Sequence, residues 1–189
     1  MRARWQPYFS GKGVSYPPQR LLLLGLKREK QLVVYAANAG QPLQLIRSFP
    51  VQGLSGQLGP KLRFGDLQVP EGFYGIESLN PNSAFHLALR VNYPNSFDRA
   101  QAQKEGRAGL GGDIMIHGSN ASIGCLAMGD QVAEDLFVLG SEAGAENIQI
   151  ILSPLDFRTS DVPNDTARPA WVKKLYAQIK AAVMKLPQK

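Results

Sequence analysis

The chain has 189 residues, enough for a single domain with a substantial hydrophobic core. Apolar residues make up 44% and charged residues 19%, a balance that excludes a disordered polar chain. The net charge of +6 suits polyanionic surroundings, but the basic residues are scattered with no five-residue basic block, which argues against a nucleic-acid reader.

Residues 1–19 are turn-rich, with Gly11, Gly13, Pro17 and Pro18, and read as an irregular lead-in. Met1-Arg2-Ala3-Arg4 has the basic start of an export signal, but Trp5-Gln6-Pro7 follows where an apolar stretch is needed. Leu21–Lys27 and Leu32–Ala36 flank the polar tetrad Arg28-Glu29-Lys30-Gln31, a hairpin signal. The run Leu21–Leu26 is far short of the roughly 20 apolar residues a membrane span needs, so no stable membrane insertion is expected. Leu43–Val51 reads as a third strand, and 53–75 as a loop that ends in a short strand at Phe73–Ile76.

Ala84–Val91 alternates most clearly, with Phe85, Leu87, Leu89 and Val91 on an expected core face and His86 on the opposite, polar one. Residues 92–112 read as a long loop that could shape a cleft, and Asp113–His117 as a buried strand delivering His117 at its end. After Cys125 the pattern turns helical through Val132, Leu136 and Leu139. Ile148–Leu152 is a further strand, 153–169 a connector, and Trp171, Leu175, Ile179 and Val183 mark a last amphipathic helix docked on the core.

The chemistry concentrates between His117 and Cys125. The chain's only cysteine follows one of its two histidines by eight residues, across a turn rich in small residues. A single cysteine excludes an internal disulfide and leaves a free thiol, either buried or reactive. A reactive thiol needs a base beside it, because only the thiolate is a good nucleophile. Gly124 permits close backbone approach, so successive N–H groups near the cysteine could face a developing oxyanion. With one Cys, two His and no carboxylate motif at ligand spacing, no metal site and no cofactor is expected.

His117-Gly118-Ser119 followed by Ser122-Ile123-Gly124-Cys125 resembles the signature of the YkuD-type L,D-transpeptidase catalytic domain, and most nearly its YafK-like subgroup. Supporting pieces lie upstream: Gly65-Asp66, Pro70-Glu71-Gly72-Phe73-Tyr74, Asn80-Pro81-Asn82-Ser83, His86, and Tyr93-Pro94-Asn95 leading to Asp98-Arg99. The resemblance covers about residues 20–152 and implies a mixed, β-rich α+β fold. Its bent or sandwich-like sheet would have one helix after the nucleophile and a C-terminal helix outside it. Residues 20–152 would form the catalytic domain, with 153–189 a connector and helix packed on it.

The same resemblance implies that Cys125 attacks a peptidoglycan stem peptide at meso-diaminopimelate to form a thioester. His117 would be the base, oriented by Gly118 or Ser119. The N–H groups of Ile123, Gly124 and Cys125 would form the oxyanion hole, and His86, Ser122, Asn82 and Tyr93 would contact substrate. Ile123 stands where most members carry a second His, and Ala127 where Arg is common, departures shared with the subgroup. They tilt the expectation toward hydrolysis, or release of a wall-attached protein, and away from forming crosslinks. Two further readings remain open: a delivered antibacterial effector with an immunity partner, and a wall-binding module without turnover. The implied location is the periplasm or cell envelope.

Overall fold

Both faces of the leucine run are covered, which is why it shows no alternation. The computed structural model describes residues 2–163 and 168–188. Helix α1 (Arg2–Phe9) comes first, followed by β1 (Arg20–Leu26), β2 (Gln31–Ala37) and β3 (Gln44–Pro50), paired antiparallel in sequence. The expected irregular lead-in therefore contains a helix, held by buried Trp5 and Phe9, with the Trp5 indole N–H donating to the Asp135 carbonyl at 2.8 Å. Pro7 and the lack of an apolar stripe hide it in the sequence. Met1, where the reading of an export-signal start begins, lies outside the described residues, as do 164–167 of the expected connector.

Next come β4 (Gly53–Leu54), β5 (Gly72–Ser83), β6 (His86–Val91), α2 (Ser96–Lys104), β7 (Met115–His117), β8 (Leu126–Ala127), α3 (Asp130–Ala143), β9 (Ile148–Ser153) and α4 (Trp171–Val183). Among the described residues the sheet order is β3-β2-β1-β9-β5-β6-β7-β8-β4. The sheet bends at β5. Its first residues, Gly72–Gly75, pair with β9, whereas Ile76–Ser83 pair with β6 through two register shifts.

Leu21 and Leu23 enter a core shared with Ile116, Leu126, Leu136 and Leu139, so α3 and α1 cover that face. Leu22, Leu24 and Leu26 enter a second core against Val172, Leu175, Ile179 and Val183 of α4. The result is a β-rich α+β domain with one helix after Cys125 and another at the C-terminus. Among the described residues no helix is long and apolar enough to cross a membrane.

One element contradicts the expected loop at 92–112: α2 lies inside it. Its signal was present, since Asn95 and Asp98 form a capping box in which each side chain accepts from the other's backbone N–H. A polar helix with little apolar periodicity escapes a search based on hydrophobic spacing.

The loop before β5 is pinned from below. Lys27 at the end of β1 is buried, and its ammonium lies 2.9 Å from Glu71 Oε1 while donating to the carbonyls of Gly59 and Val69. The Tyr176 hydroxyl of α4 donates to the other Glu71 oxygen at 2.5 Å. Sheet, loop and C-terminal helix thus meet at one buried ion pair.

Candidate active site

Strand register decides which side chains share a surface. Ala88 pairs with His117, Leu89 with Ile116 and Arg90 with Met115, while Ile116 pairs with Leu126 in parallel. Leu89, Ile116 and Leu126 fill the core. Their neighbours in sequence face the other way. His117 and Arg90 therefore share a face, and extending the β7–β8 register by one residue places Cys125 beside Met115 on it.

His117 is 2% exposed, and its Nδ1 donates to the Gly118 carbonyl at 2.6 Å. This bond fixes the tautomer and leaves the Nε2 lone pair as the ring's basic site. Phe85 stacks on the imidazole, with centroids 4.9 Å apart at 29°. Phe85 was expected to face the core; instead it is 43% exposed at the tip of the β5–β6 hairpin, covering the histidine. Gly118 is required here, because a Cβ would lie 2.9 Å from both the Phe85 carbonyl oxygen and the His86 Cβ.

Cys125 is half-buried, and its thiol donates to the Asp113 carbonyl at an Sγ···O distance of 3.5 Å. Burial pushes the thiol above its ordinary value, with the nearby Asp113 carboxylate adding to the rise, while a Met115 backbone N–H and Lys61 oppose it. Burial lowers the His117 pKa against the opposing pull of the Gly118 carbonyl. At neutral pH the thiol and the imidazole are both held in their neutral forms, on one face of the sheet.

The other expected site residues divide. Ser122 Oγ donates to the Cys125 carbonyl at 2.6 Å, so it shapes the turn that presents the cysteine. Ser119 holds that turn to α3: its N–H donates to Asp130 Oδ1 at 2.8 Å, and its carbonyl accepts from Gly129. Gly118, not Ser119, orients the imidazole. The Gly124 N–H, expected in the oxyanion hole, is already spent on Ser55 Oγ at 2.7 Å, and that hydroxyl in turn donates to the Leu67 carbonyl.

Tyr93, expected to contact substrate, is 5% exposed; its hydroxyl reaches the Lys61 and Leu110 carbonyls, tying two flanking loops together. His86, expected near substrate or thiol, turns outward instead, with Nε2 3.2 Å from Glu134 Oε1 of α3. Asn82 is exposed on the β5–β6 hairpin, and its N–H donates to Asn80 Oδ1. Sequence reasoning missed Phe85, Asp113 and Ser55. The first was concealed by alternation that stops short of a hairpin tip, and the other two act through contacts distant in sequence. Among the described residues, no group of three or more His, Cys, Asp or Glu could hold a metal ion.

No protein-family model matches the chain. It is 34% identical over 159 residues to the Escherichia coli (strain K12) protein named "Putative L,D-transpeptidase YafK", a match covering 82% of this chain and 61% of that one. The chain thus spans about three fifths of that relative's length. Its fold is similar to the helical cell shape determining protein Pgp2 from Campylobacter jejuni. There the TM-score is 0.55 at 18% identity, with all of this chain and 79% of that one covered. Bd1075 from Bdellovibrio bacteriovorus is similar at a TM-score of 0.52 and 23% identity, covering 76% of this chain and 52% of that one.

Proposed function

We propose that the chain is a member of the L,D-transpeptidase family over the residues it shares with YafK, and that it acts on peptidoglycan stem peptides through a thioester on Cys125. The single observation that carries this reading is the Nδ1 bond from His117 to Gly118, which leaves Nε2 basic on the sheet face shared with the half-buried thiol. Cys125 Sγ attacks the carbonyl of the L-centre of meso-diaminopimelate as His117 Nε2 takes the thiol proton. The C–N bond then breaks, and the departing amine receives that proton from the imidazolium. Attack by water, with His117 again as base, releases the acid and restores the thiol. Charge on the tetrahedral oxygen is met by backbone N–H groups of Ile123 and Cys125, the expected donors left once Gly124 is committed to Ser55.

Hydrolysis is favoured over crosslinking. Ile123 is 76% exposed and supplies no polar group where a second histidine would stand, and Ala127 is buried where an arginine would stand. Such an enzyme works where peptidoglycan is, in the cell envelope. Purified muropeptides incubated with the wild type should give shortened or cleaved stems by mass spectrometry, and Cys125→Ala should leave them unchanged. Identical product profiles from the two proteins would defeat the reading.

The resting protonation states give a pH signature. The Cys125 pKa lies above the ordinary thiol value of 9.0, and that of His117 below the ordinary 6.5. The base is therefore in its working, neutral form down to pH values below 6.5. Alkylation of Cys125 by iodoacetamide should keep accelerating beyond pH 9.0. A rate plateau already reached at neutral pH would mean a preformed thiolate–imidazolium pair instead.

A further inference from the structure

The two longest helices carry opposite charge on opposite faces of the sheet. Helix α3, on the core of Leu21 and Leu23, holds Asp130, Glu134, Asp135 and Glu142 and no Lys or Arg. Helix α4, on the core of Leu22 and Leu24, holds Lys173, Lys174 and Lys180 and no Asp or Glu, and Lys185 follows just past its end. The acids of α3 are met by α1: Arg2 lies 2.9 Å from Glu142, and Arg4 lies 2.7 Å from Asp135 and 3.3 Å from Glu134. The lysines have no such cover. Of the four, among the described residues, only Lys180 reaches a carboxylate, Asp161 at 2.6 Å. The side chains of Lys173, Lys174 and Lys185 make no ion pair or hydrogen bond there.

The placement of these lysines suits a plane. At about 100° per residue, Lys173 and Lys180 border one side of the outer arc of α4, and Lys174 and Lys185 the other. Ala177, Ala181 and Met184 are exposed between them. Flexible lysine stems beside small apolar groups put their ammonium groups at headgroup phosphates while the strip between meets the acyl boundary. A convex helix face offers no groove in which a polyanionic chain could lie. Surfaces that are merely solvated intersperse the two signs, whereas here they are segregated across the sheet. A negative plane attracts the α4 face and repels the α3 face, so it also orients the domain.

From this segregation we infer that the outer face of α4 docks on an anionic lipid surface through Lys173, Lys174, Lys180 and Lys185. The contact is peripheral, since the apolar side of α4 is committed to the core. Helix α4 covers β1, β2 and β9, whereas Cys125 immediately precedes β8, four strands beyond β9 in the sheet order. The docking residues are thus distinct from Cys125 and His117, and the inference holds whether or not a thioester forms. A lysine close to an anionic leaflet strengthens binding about fivefold, so four of them give a weak, reversible contact.

Flotation of the full chain with phosphatidylcholine vesicles, with and without phosphatidylglycerol, tests the inference at physiological ionic strength. The protein should float with the mixed vesicles, stay in solution with phosphatidylcholine alone, and be released by added salt. Lys173→Gln with Lys174→Gln removes two unpaired charges and should weaken partition about 25-fold. Its thermal midpoint should not move, because both side chains are exposed. Lys180→Gln with Lys185→Gln, taking one lysine from each flank, should act alike. Lys12→Gln with Arg63→Gln removes the same charge from exposed positions off this helix, where screening beyond about 8 Å should keep the loss below about threefold. The inference is overturned by absence of binding to the mixed vesicles, by equal binding to phosphatidylcholine alone, or by equal losses from the α4 and control variants. Tighter binding to soluble polyphosphate than to vesicles at matched phosphate would also overturn it, assigning the face to a polyanionic chain. Failure of the thioester reading would appear as protein that never acylates and would leave flotation untouched.

Discussion

His117→Ala is expected to lower the rate of acyl-enzyme formation by about 10²–10⁴-fold, the range supplied by a positioned general base. Burial keeps the Cys125 thiol protonated at neutral pH, so attack requires a proton acceptor at the moment of bond formation. His117 has its Nδ1 committed to Gly118 and its ring held under Phe85, so it loses little freedom when it accepts that proton. The alanine variant keeps the Gly118 backbone and the strand pairing of Ile116 with Leu126, so the protein should remain folded while reacting slowly. Rates of adduct formation with a stem peptide, followed by intact mass, provide the check. A loss of less than about threefold would remove His117 from the chemistry.

Lys27→Met should destabilise the protein by about 3–5 kcal/mol, because it strands the buried Glu71 carboxylate without its counter-charge. Two carbonyls, of Gly59 and Val69, lose their shared donor at the same time. For a chain of this size the midpoint of thermal unfolding should fall on the order of 10 °C. Adding Glu71→Gln should return part of the loss, since no unpaired charge then stays in the interior. Thermal melts of the two variants and the wild type test the point, and a shift below about 2 °C for Lys27→Met would show that the pair carries no structural weight. The loop beginning near Gly59 leads to Lys61, whose charge acts on the thiol, and to Leu67, whose carbonyl holds the Ser55 hydroxyl bound by Gly124, so loosening this clamp should also impair the site.

The strands were legible where burial is one-sided or complete over several residues. The hairpin of β1 and β2 follows from two apolar runs around a polar tetrad, and α3 and α4 follow from stripes at helical spacing. Helices without such a stripe escaped: α1 buries Trp5 and Phe9 and is tied to α3 by the Arg2–Glu142 and Arg4–Asp135 ion pairs, and α2 is held by its capping box. The spacing of His117 and Cys125 was visible because both lie on one short stretch of chain. What surrounds them was not. Ser55 takes the Gly124 N–H across 69 positions, and Phe85 reaches the imidazole only because the β5–β6 hairpin folds onto β7. Tyr93 illustrates the opposite error, a residue that belongs to the motif but spends its hydroxyl on loop carbonyls. Linear pattern reports which residues are near in sequence, whereas hydrogen-bond saturation is decided by partners far along the chain.

The most direct measurement is intact-protein mass spectrometry of the wild type quenched in acid during reaction with a diaminopimelate-containing stem peptide. A hydroxylamine-labile adduct should appear, located by peptide mapping on Cys125, and should be missing from Cys125→Ala. Stem cleavage by Cys125→Ala at the wild-type rate, or an adduct located on any other residue, would contradict the account.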